Sequence, residues 1–254
     1  MTTRISWSRE QLLVAFRLYC RTPFGRLHSR NPDIIQLARL IGRTPSAVAM
    51  KACNFASLDP VQQQRNIVAL GNASRADRQL WEDFHADPES VAAAAETTYA
   101  DLAGRAAPPA AEPNIPDGPT EVIRTVRSRR VQAFFRSAVL TSYESRCALT
   151  GLAVPELLNA SHIIPWSENT ARRADPRNGL ALNALHDRAF DRGLITFDES
   201  LRVVLSPRLT SQVPPPFHNQ TLLQLAGRQL NPPTRFPPDP AALAYHREHV
   251  FVDL

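Results

Sequence analysis

Two histidines, one asparagine and two aspartates in the second half of the chain have types and spacing suited to acid–base or metal chemistry. His162, Asn178 and His186 follow one another at separations of sixteen and eight residues. A neutral imidazole accepts a proton near neutral pH, which suits a general base. Asp187 and Asp191 share one face of a helix and repel each other unless a cation or an arginine lies between them. The aspartate pair therefore predicts either a cation site or an ion pair.

The elements that must position these side chains are indicated by the surrounding sequence. Strand signals at 158–164 and around 194–205 enclose a loop rich in Ser, Asn, Asp and Pro, together with a short helix from about 183 to 191. The order strand, long loop, strand and helix predicts a small mixed unit that brings the histidines and the aspartates together.

Three strings around these residues, ASHIIPW, DPRNGLAL and HDRAFDRG, resemble the HNH endonuclease family over roughly residues 145–205. The resemblance implies a ββα-metal fold, in which one divalent ion, Mg²⁺ or Mn²⁺, sits between a hairpin and a helix beside the scissile phosphate. It also implies that His162 is the general base and that Asn178 tethers the loop so that the imidazole points at the attacking water. Phosphodiester hydrolysis needs an activated water, compensation of phosphoryl charge and help for the departing 3′ oxygen. One imidazole and one divalent cation can supply all three.

The metal ligands are the open part of this interpretation. Many relatives have an aspartate before the first histidine, whereas this chain has Ser161, a poorer ligand for a hard cation. His186 corresponds to the last histidine of the motif, but a gapless count of nine residues from the asparagine reaches Asp187. Ser161, His186, Asp187 and Asp191 are therefore joint candidates, and an Arg188–Asp191 ion pair stays an alternative.

The cysteines predict neither a structural zinc site nor a disulfide framework. Cys147 stands where some relatives begin a zinc-binding set, but no cysteine follows it, and Cys20 and Cys53 lie far upstream. A reducing cytoplasm is the expected setting. The sequence has no run of eighteen apolar residues and no signal pattern at its start, so we expect no membrane partner.

The distribution of charge favours a polyanionic partner. The formal net charge is +5, and two basic segments, 1–60 and 121–146, flank an acidic one at 61–120. Segregated positive charge suits DNA, because neutralised phosphates release counterions. The candidate DNA-binding residues are Arg172, Arg173, Arg177, Arg188 and Arg192 around the site, Arg127 and Arg130 on a basic helix, and Lys51. The alternative is that many of these arginines are ordinary solvated surface residues.

The first hundred residues predict a helical module. Apolar spacing indicates helices at 8–21, 31–41 and 44–56, and the last two have the turn chemistry of a helix-turn-helix over 31–56. Its second helix would present Ser46, Lys51 and Asn54 to DNA, although packing or protein contact would explain the pattern equally well. Helical residues 75–101 and a proline-rich linker at 104–120 follow.

These observations predict an α+β protein with a helical recognition or regulatory module at 1–103 and a nuclease domain at 121–254, whose core spans 145–205. The resemblance implies a metal-dependent DNA endonuclease that leaves 5′-phosphate and 3′-hydroxyl ends, with a restriction or anti-phage role. The alternative is a non-catalytic DNA-binding regulator with a degenerate HNH site. One active site nicks one strand, so double-strand breaks would require a homodimer or sequential cuts.

Overall fold

The computed structural model describes residues 6–65, 73–104, 119–209 and 215–253, with residues 119–127 described by their backbone alone. The helices are α1 (Arg9–Arg21), α2 (Pro32–Leu40), α3 (Pro45–Ala56), α4 (Pro60–Gln64), α5 (Arg75–Ala86), α6 (Pro88–Leu102), α7 (Pro119–Ser142), α8 (Ala184–Asp191), α9 (Pro216–Thr221) and α10 (Pro240–His249). The strands are β1 (Leu158–His162), β2 (Gly179–Asn183), β3 (Ile195–Phe197) and β4 (Val203–Leu205). The chain is therefore an α+β protein with a helical amino-terminal region.

Two compact units divide the chain, Met1–Ser137 and Ala138–Leu254. The division falls within α7 and not in the proline-rich segment, of which residues 105–118 lie outside the described part of the chain. The proposed domains at 1–103 and 121–254, with a linker between them, therefore stay a prediction.

Helices of the amino-terminal unit begin at residues that cap them. Ser8 forms a capping box with Gln11 at the start of α1. Asn31 and Thr44 accept backbone N–H bonds at the starts of α2 and α3, and each is followed by a proline at the first helical position. Gly42, at φ +65°, supplies the turn between α2 and α3. The three helices expected in the first sixty residues are confirmed.

Aromatic side chains form much of the core of this unit. The Phe16 ring lies 5.3 Å from that of Phe55 and 4.8 Å from that of Phe84, measured between centroids. Phe134 contacts Phe84 at 5.9 Å. All four side chains are buried, so aromatic packing of this kind joins α1, α3, α5 and α7.

The prediction that Lys51 and Asn54 face DNA is wrong. Lys51 is only 7 % exposed, and its Nζ donates to both carboxylate oxygens of Asp77 at 2.8 and 2.9 Å. Asn54 is also 7 % exposed and donates to Asp77. The face that α3 leaves exposed includes Ser46 and Met50. Lys51 therefore belongs to a buried ion pair that ties α3 to α5.

The carboxyl-terminal unit contains a ββα element. Strands β1 and β2 pair antiparallel, with Leu158 opposite Asn183 and His162 opposite Gly179. Asn183 then caps α8, because its Oδ1 accepts from the His186 N–H at 3.0 Å. The strand signal around 194–205 is confirmed, but it forms a separate hairpin, β3–β4. Strand β2 was obscured in the sequence because it is buried almost throughout and so lacks alternation.

Helix α10 and the residues after it pack against the end of α8. The His246 ring stacks on Phe190 at a centroid distance of 3.8 Å, its Nε2 donates to the Phe190 carbonyl at 3.1 Å, and Thr196 donates to its Nδ1 at 2.9 Å. Gly193 has φ +66°, and a Cβ on it would lie 2.0 Å from the Val250 carbonyl oxygen. This close approach holds the helix that carries Asp187 and Asp191.

Candidate active site

Strand β1 and helix α8 bring together the residues whose spacing suggested chemistry. Asn159 Nδ2 donates to Asp187 Oδ2 at 2.7 Å. Two residues further along β1, Ser161 lies close enough to Asp191 for its hydroxyl to lower the pKa of that carboxyl. His162 follows, and although burial lowers the pKa of its ring, the charge of Asp187 is close enough to oppose that shift. One edge of the hairpin therefore faces both carboxylates of the helix.

The protonation state of His162 is set by its surroundings. Its Nε2 lies 3.0 Å from the Arg173 carbonyl oxygen. A carbonyl can only accept, so Nε2 carries the hydrogen and Nδ1 carries the lone pair of the neutral ring. Burial lowers the pKa of His162, and the Arg173 charge lowers it further, against the opposing effects of the carbonyl bond and Asp187. The ring is accordingly neutral at pH 7, as a general base must be.

Asn178 ties the two ends of the loop between β1 and β2. Its Oδ1 accepts from the Ile164 N–H at 2.8 Å, and its Nδ2 donates to the Ile164 carbonyl at 3.2 Å. Nδ2 also lies 3.4 Å from the Arg172 carbonyl. The side chain is 1 % exposed. Asn178 therefore fixes the backbone that follows His162.

The two aspartates of α8 repel each other. Asp191 is exposed as a residue, but partial desolvation of its carboxyl raises the pKa, the negative charge of Asp187 raises it further, and Arg188 and Arg192 oppose both effects. Ser161 is 3 % exposed, and its hydroxyl has no hydrogen-bond partner of good geometry. A cation beside these three residues would relieve the repulsion and satisfy the hydroxyl.

The donor set fits a hard divalent cation. Mg²⁺ and Mn²⁺ prefer oxygen ligands, and Asp187, Asp191 and Ser161 offer carboxylate and hydroxyl oxygens. Within the described ranges, no three His, Cys, Asp or Glu side chains form a ready-made metal cluster. Asp187 and Asp191 would hold the ion, and Mg²⁺ is usually bound in proteins through only one or two carboxylates.

His186 does not share this arrangement. Its Nε2 donates to the Thr221 carbonyl at 2.9 Å, and its Nδ1 lies 3.1 Å from Asn183 Nδ2. The residue is 2 % exposed. Both ring nitrogens are thus engaged with groups other than the two aspartates, and the expected roles of His186 as a catalytic residue and a metal ligand stay a prediction. It is a buried residue that fixes the start of α8.

Cys147 extends the network around His186. It is 1 % exposed, and its Sγ accepts from the Asn183 N–H at 3.4 Å. Burial alone would raise the pKa of Cys147, but hydrogen bonds with His186 and Thr150 outweigh it and lower the pKa to about 6. The Cys147 side chain therefore stabilises the backbone at Asn183, where β2 ends and α8 begins.

The arginines expected to bind DNA differ in their surroundings. Arg172 pairs with Asp239 at 2.6 Å, and Arg177 pairs with Asp175 at 2.9 Å. Arg173 donates to the Trp166 carbonyl and lies over the Trp166 ring. Arg188 on α8 and Arg192 just after it are both exposed. Arg130 donates to Thr97 at 3.1 Å. The side chain of Arg127 lies outside the described residues. Arg188 and Arg192 are thus the candidates best placed to meet a phosphate.

Comparison with known families agrees with this geometry. Residues 147–198 match the family model described as HNH endonuclease. These residues form an HNH endonuclease domain. The HNH domain contains β1, β2, α8 and β3, together with His162, Asn178 and both aspartates. It indicates a nuclease acting on nucleic acid. A search of curated proteins finds no match.

The family match covers one part of the chain. The match ends at residue 198 and begins at residue 147, so it does not include the helical amino-terminal unit. Among the described residues, no helix is both long and apolar enough to span a bilayer.

Proposed function

We propose that the chain is a DNA endonuclease that hydrolyses phosphodiester bonds with the help of one Mg²⁺ or Mn²⁺ ion. The observation that carries this proposal is the His162 ring, which is held by the Arg173 carbonyl and lies close enough to Asp187 to be affected by its charge. Asp187 shares one face of α8 with Asp191, four residues further on. A general base and an oxygen-rich cation site at one hairpin edge are what phosphodiester hydrolysis requires.

The residues of the HNH domain then have distinct roles. His162 Nδ1 takes a proton from the attacking water, while Nε2–H stays bonded to the Arg173 carbonyl. Asn178 holds the loop that carries this carbonyl, and so keeps the ring in place. Asp187 and Asp191, with Ser161, would hold the divalent ion, which supplies positive charge to the phosphoryl oxygens and to the departing 3′ oxygen. Strand scission leaves a 5′-phosphate.

The phosphate backbone is held by arginines on the same surface. Arg188 and Arg192 are exposed and adjoin Asp191, so their guanidinium groups can approach a phosphate close to the cation. Arg172, Arg173 and Arg177 bond to groups within the domain and support the loop. We therefore expect substitution of Arg188 or Arg192 to weaken DNA binding and to lower its salt dependence.

Plasmid cleavage tests the activity. The purified protein should nick supercoiled DNA in the presence of Mg²⁺ or Mn²⁺, and the nicking should stop when EDTA is added. His162→Ala should lose activity by about 100-fold or more, as expected for removal of a general base. His249→Ala is the matched control, because His249 is exposed on α10. Undiminished cleavage by His162→Ala would reject the assignment.

A second candidate function is a non-catalytic DNA-binding regulator. Ser161 favours it, since a hydroxyl replaces the carboxylate that many relatives have at this position. The buried state of Lys51 counts against the recognition surface that this alternative needs. A regulator should bind DNA equally with and without EDTA, and calorimetry should detect no Mn²⁺ binding that Asp187→Ala removes.

The biological role that we propose is restriction or anti-phage defence, with the helical residues 1–103 as the recognition or regulatory module. This role rests on the resemblance to restriction-like HNH proteins. Plaque counts on cells that express the protein or His162→Ala test it, since defence requires fewer plaques with the former alone. If both DNA strands are cut in one encounter, gel filtration with DNA should show a homodimer.

A further inference from the structure

Asn159 is the polar residue of β1 that contacts the candidate metal helix most directly. Its Nδ2 donates to Asp187 Oδ2 at 2.7 Å, which is short for an amide donor and typical of a bond to a charged acceptor. Asn159 is partly buried and pairs across the hairpin with Leu182. The bond therefore links β1 to the first turn of α8.

The spacing of strand and helix explains why this contact forms. Two residues along a strand advance about 6.6 Å, and four residues along a helix advance about 6 Å. Asn159 and Ser161 lie on one face of β1, and Asp187 and Asp191 lie on one face of α8. Strand and helix therefore meet at two residue pairs, which we call rungs. The first rung is Asn159 with Asp187, and the second is Ser161 with Asp191.

The two rungs differ in a way that matters for a cation. At the first rung, Asp187 has one oxygen occupied by an amide donor of fixed geometry. At the second rung, the Ser161 hydroxyl makes no well-formed hydrogen bond to any group in the described structure. One carboxylate is thus held in position before a cation arrives, whereas the other is exposed at the end of its helix.

We propose that Asn159 is a positioning residue that orients Asp187 for the divalent ion, a role that rests on the proposed metal-dependent function. By occupying Oδ2, it fixes the carboxylate rotamer and leaves Oδ1 as the oxygen offered to the cation. A neutral amide does this without adding a third carboxylate to the site. Partners of this kind around metal ligands typically change metal affinity by 10- to 100-fold when removed.

Mn²⁺ binding to the full chain, measured by isothermal titration calorimetry without DNA, tests the proposal. Asn159→Leu keeps the branched shape of the side chain but removes the donor, and Asn159→Ala removes both. Gln229→Ala is the matched control, because its Nε2 makes a bond of similar length, 2.8 Å, to the Ser200 carbonyl in the β3–β4 hairpin. Thermal melts without metal check that each variant is folded.

The expected result is a Kd for Mn²⁺ that rises at least about 10-fold in both Asn159 variants and stays within about twofold in Gln229→Ala. Unchanged Mn²⁺ affinity in a folded Asn159 variant overturns the proposal, and so does a native protein that binds no Mn²⁺. Plasmid cleavage separates the two claims. If Asn159→Leu weakens Mn²⁺ binding but the native protein cuts no DNA, the positioning role stands and the endonuclease function fails.

Discussion

Acid should destabilise the carboxyl-terminal unit through His246, which is 1 % exposed and packs against the end of α8. Burial lowers the pKa of His246, the hydrogen bond to the Phe190 carbonyl opposes this, and the charge of Arg247 adds to it, so that the pKa falls to about 4. In the unfolded chain the pKa returns to its ordinary value of 6.5. The folded state therefore binds fewer protons than the unfolded state between these two pKa values.

The sign and the magnitude follow from this difference. The stabilisation is fully present above about pH 6.5 and is lost as the pH falls toward about 4. The pKa difference corresponds to a loss of about 3 kcal/mol in the free energy of unfolding. His246→Gln keeps an amide donor for the Phe190 carbonyl but does not titrate, so its stability should fall less steeply over the same range.

Urea unfolding at a series of pH values measures the pH dependence of the unfolding free energy. Hydrogen exchange in peptides from α8 and α10 serves as the probe, so that the result reports on the carboxyl-terminal unit. Carboxylates titrate near the acid end of the range in both proteins, so the quantity to compare is the native free energy minus that of His246→Gln. A difference that stays constant from pH 7 to about pH 4.5 would refute the reasoning.

Three further substitutions should give measurable effects. Gly193→Ala should cost at least about 2 kcal/mol of unfolding free energy, because Gly193 has a positive φ and an added Cβ would clash with the Val250 carbonyl. Gly151→Ala is the control, since Gly151 has φ +75° but open space around it, and it should cost about 1 kcal/mol. Equal losses in urea titrations would contradict this prediction. Ser161→Asp should tighten Mn²⁺ binding at least about 10-fold in calorimetry, because a third carboxylate joins the site, and unchanged affinity would place the cation elsewhere. Lys51→Met should cost about 3–5 kcal/mol in urea unfolding, because Asp77 is left buried without a counter-charge, and a loss below 1 kcal/mol would contradict the buried ion pair.

The sequence predicted the positions that the motif itself determines. His162 and Asn178 were assigned correctly to a strand and a loop because the surrounding strings are long and their roles depend on local backbone. The helices with strong start signals, such as Ser8 before α1 and Thr44 before α3, were predictable for the same reason.

Partners distant in sequence explain what could not be predicted. His186 shared its motif with the site, but the Thr221 carbonyl, thirty-five residues further on, binds its Nε2. The position of Lys51 in its helix is that of a DNA-contacting residue, but in the structure Lys51 pairs with Asp77, twenty-six residues further on. Asn159 gave only a weak signal, since a single asparagine in a short strand is chemically ambiguous. Its place two residues before Ser161 on the same strand face was the only hint.

The central claim is that His162 acts as the general base beside a cation held by α8. Single-turnover cleavage of supercoiled DNA at saturating Mn²⁺, combined with calorimetric Mn²⁺ affinity, tests it most directly. The account predicts that His162→Ala lowers the cleavage rate by about 100-fold or more while the Mn²⁺ Kd changes by less than about threefold. Cleavage by His162→Ala at the native rate would contradict it.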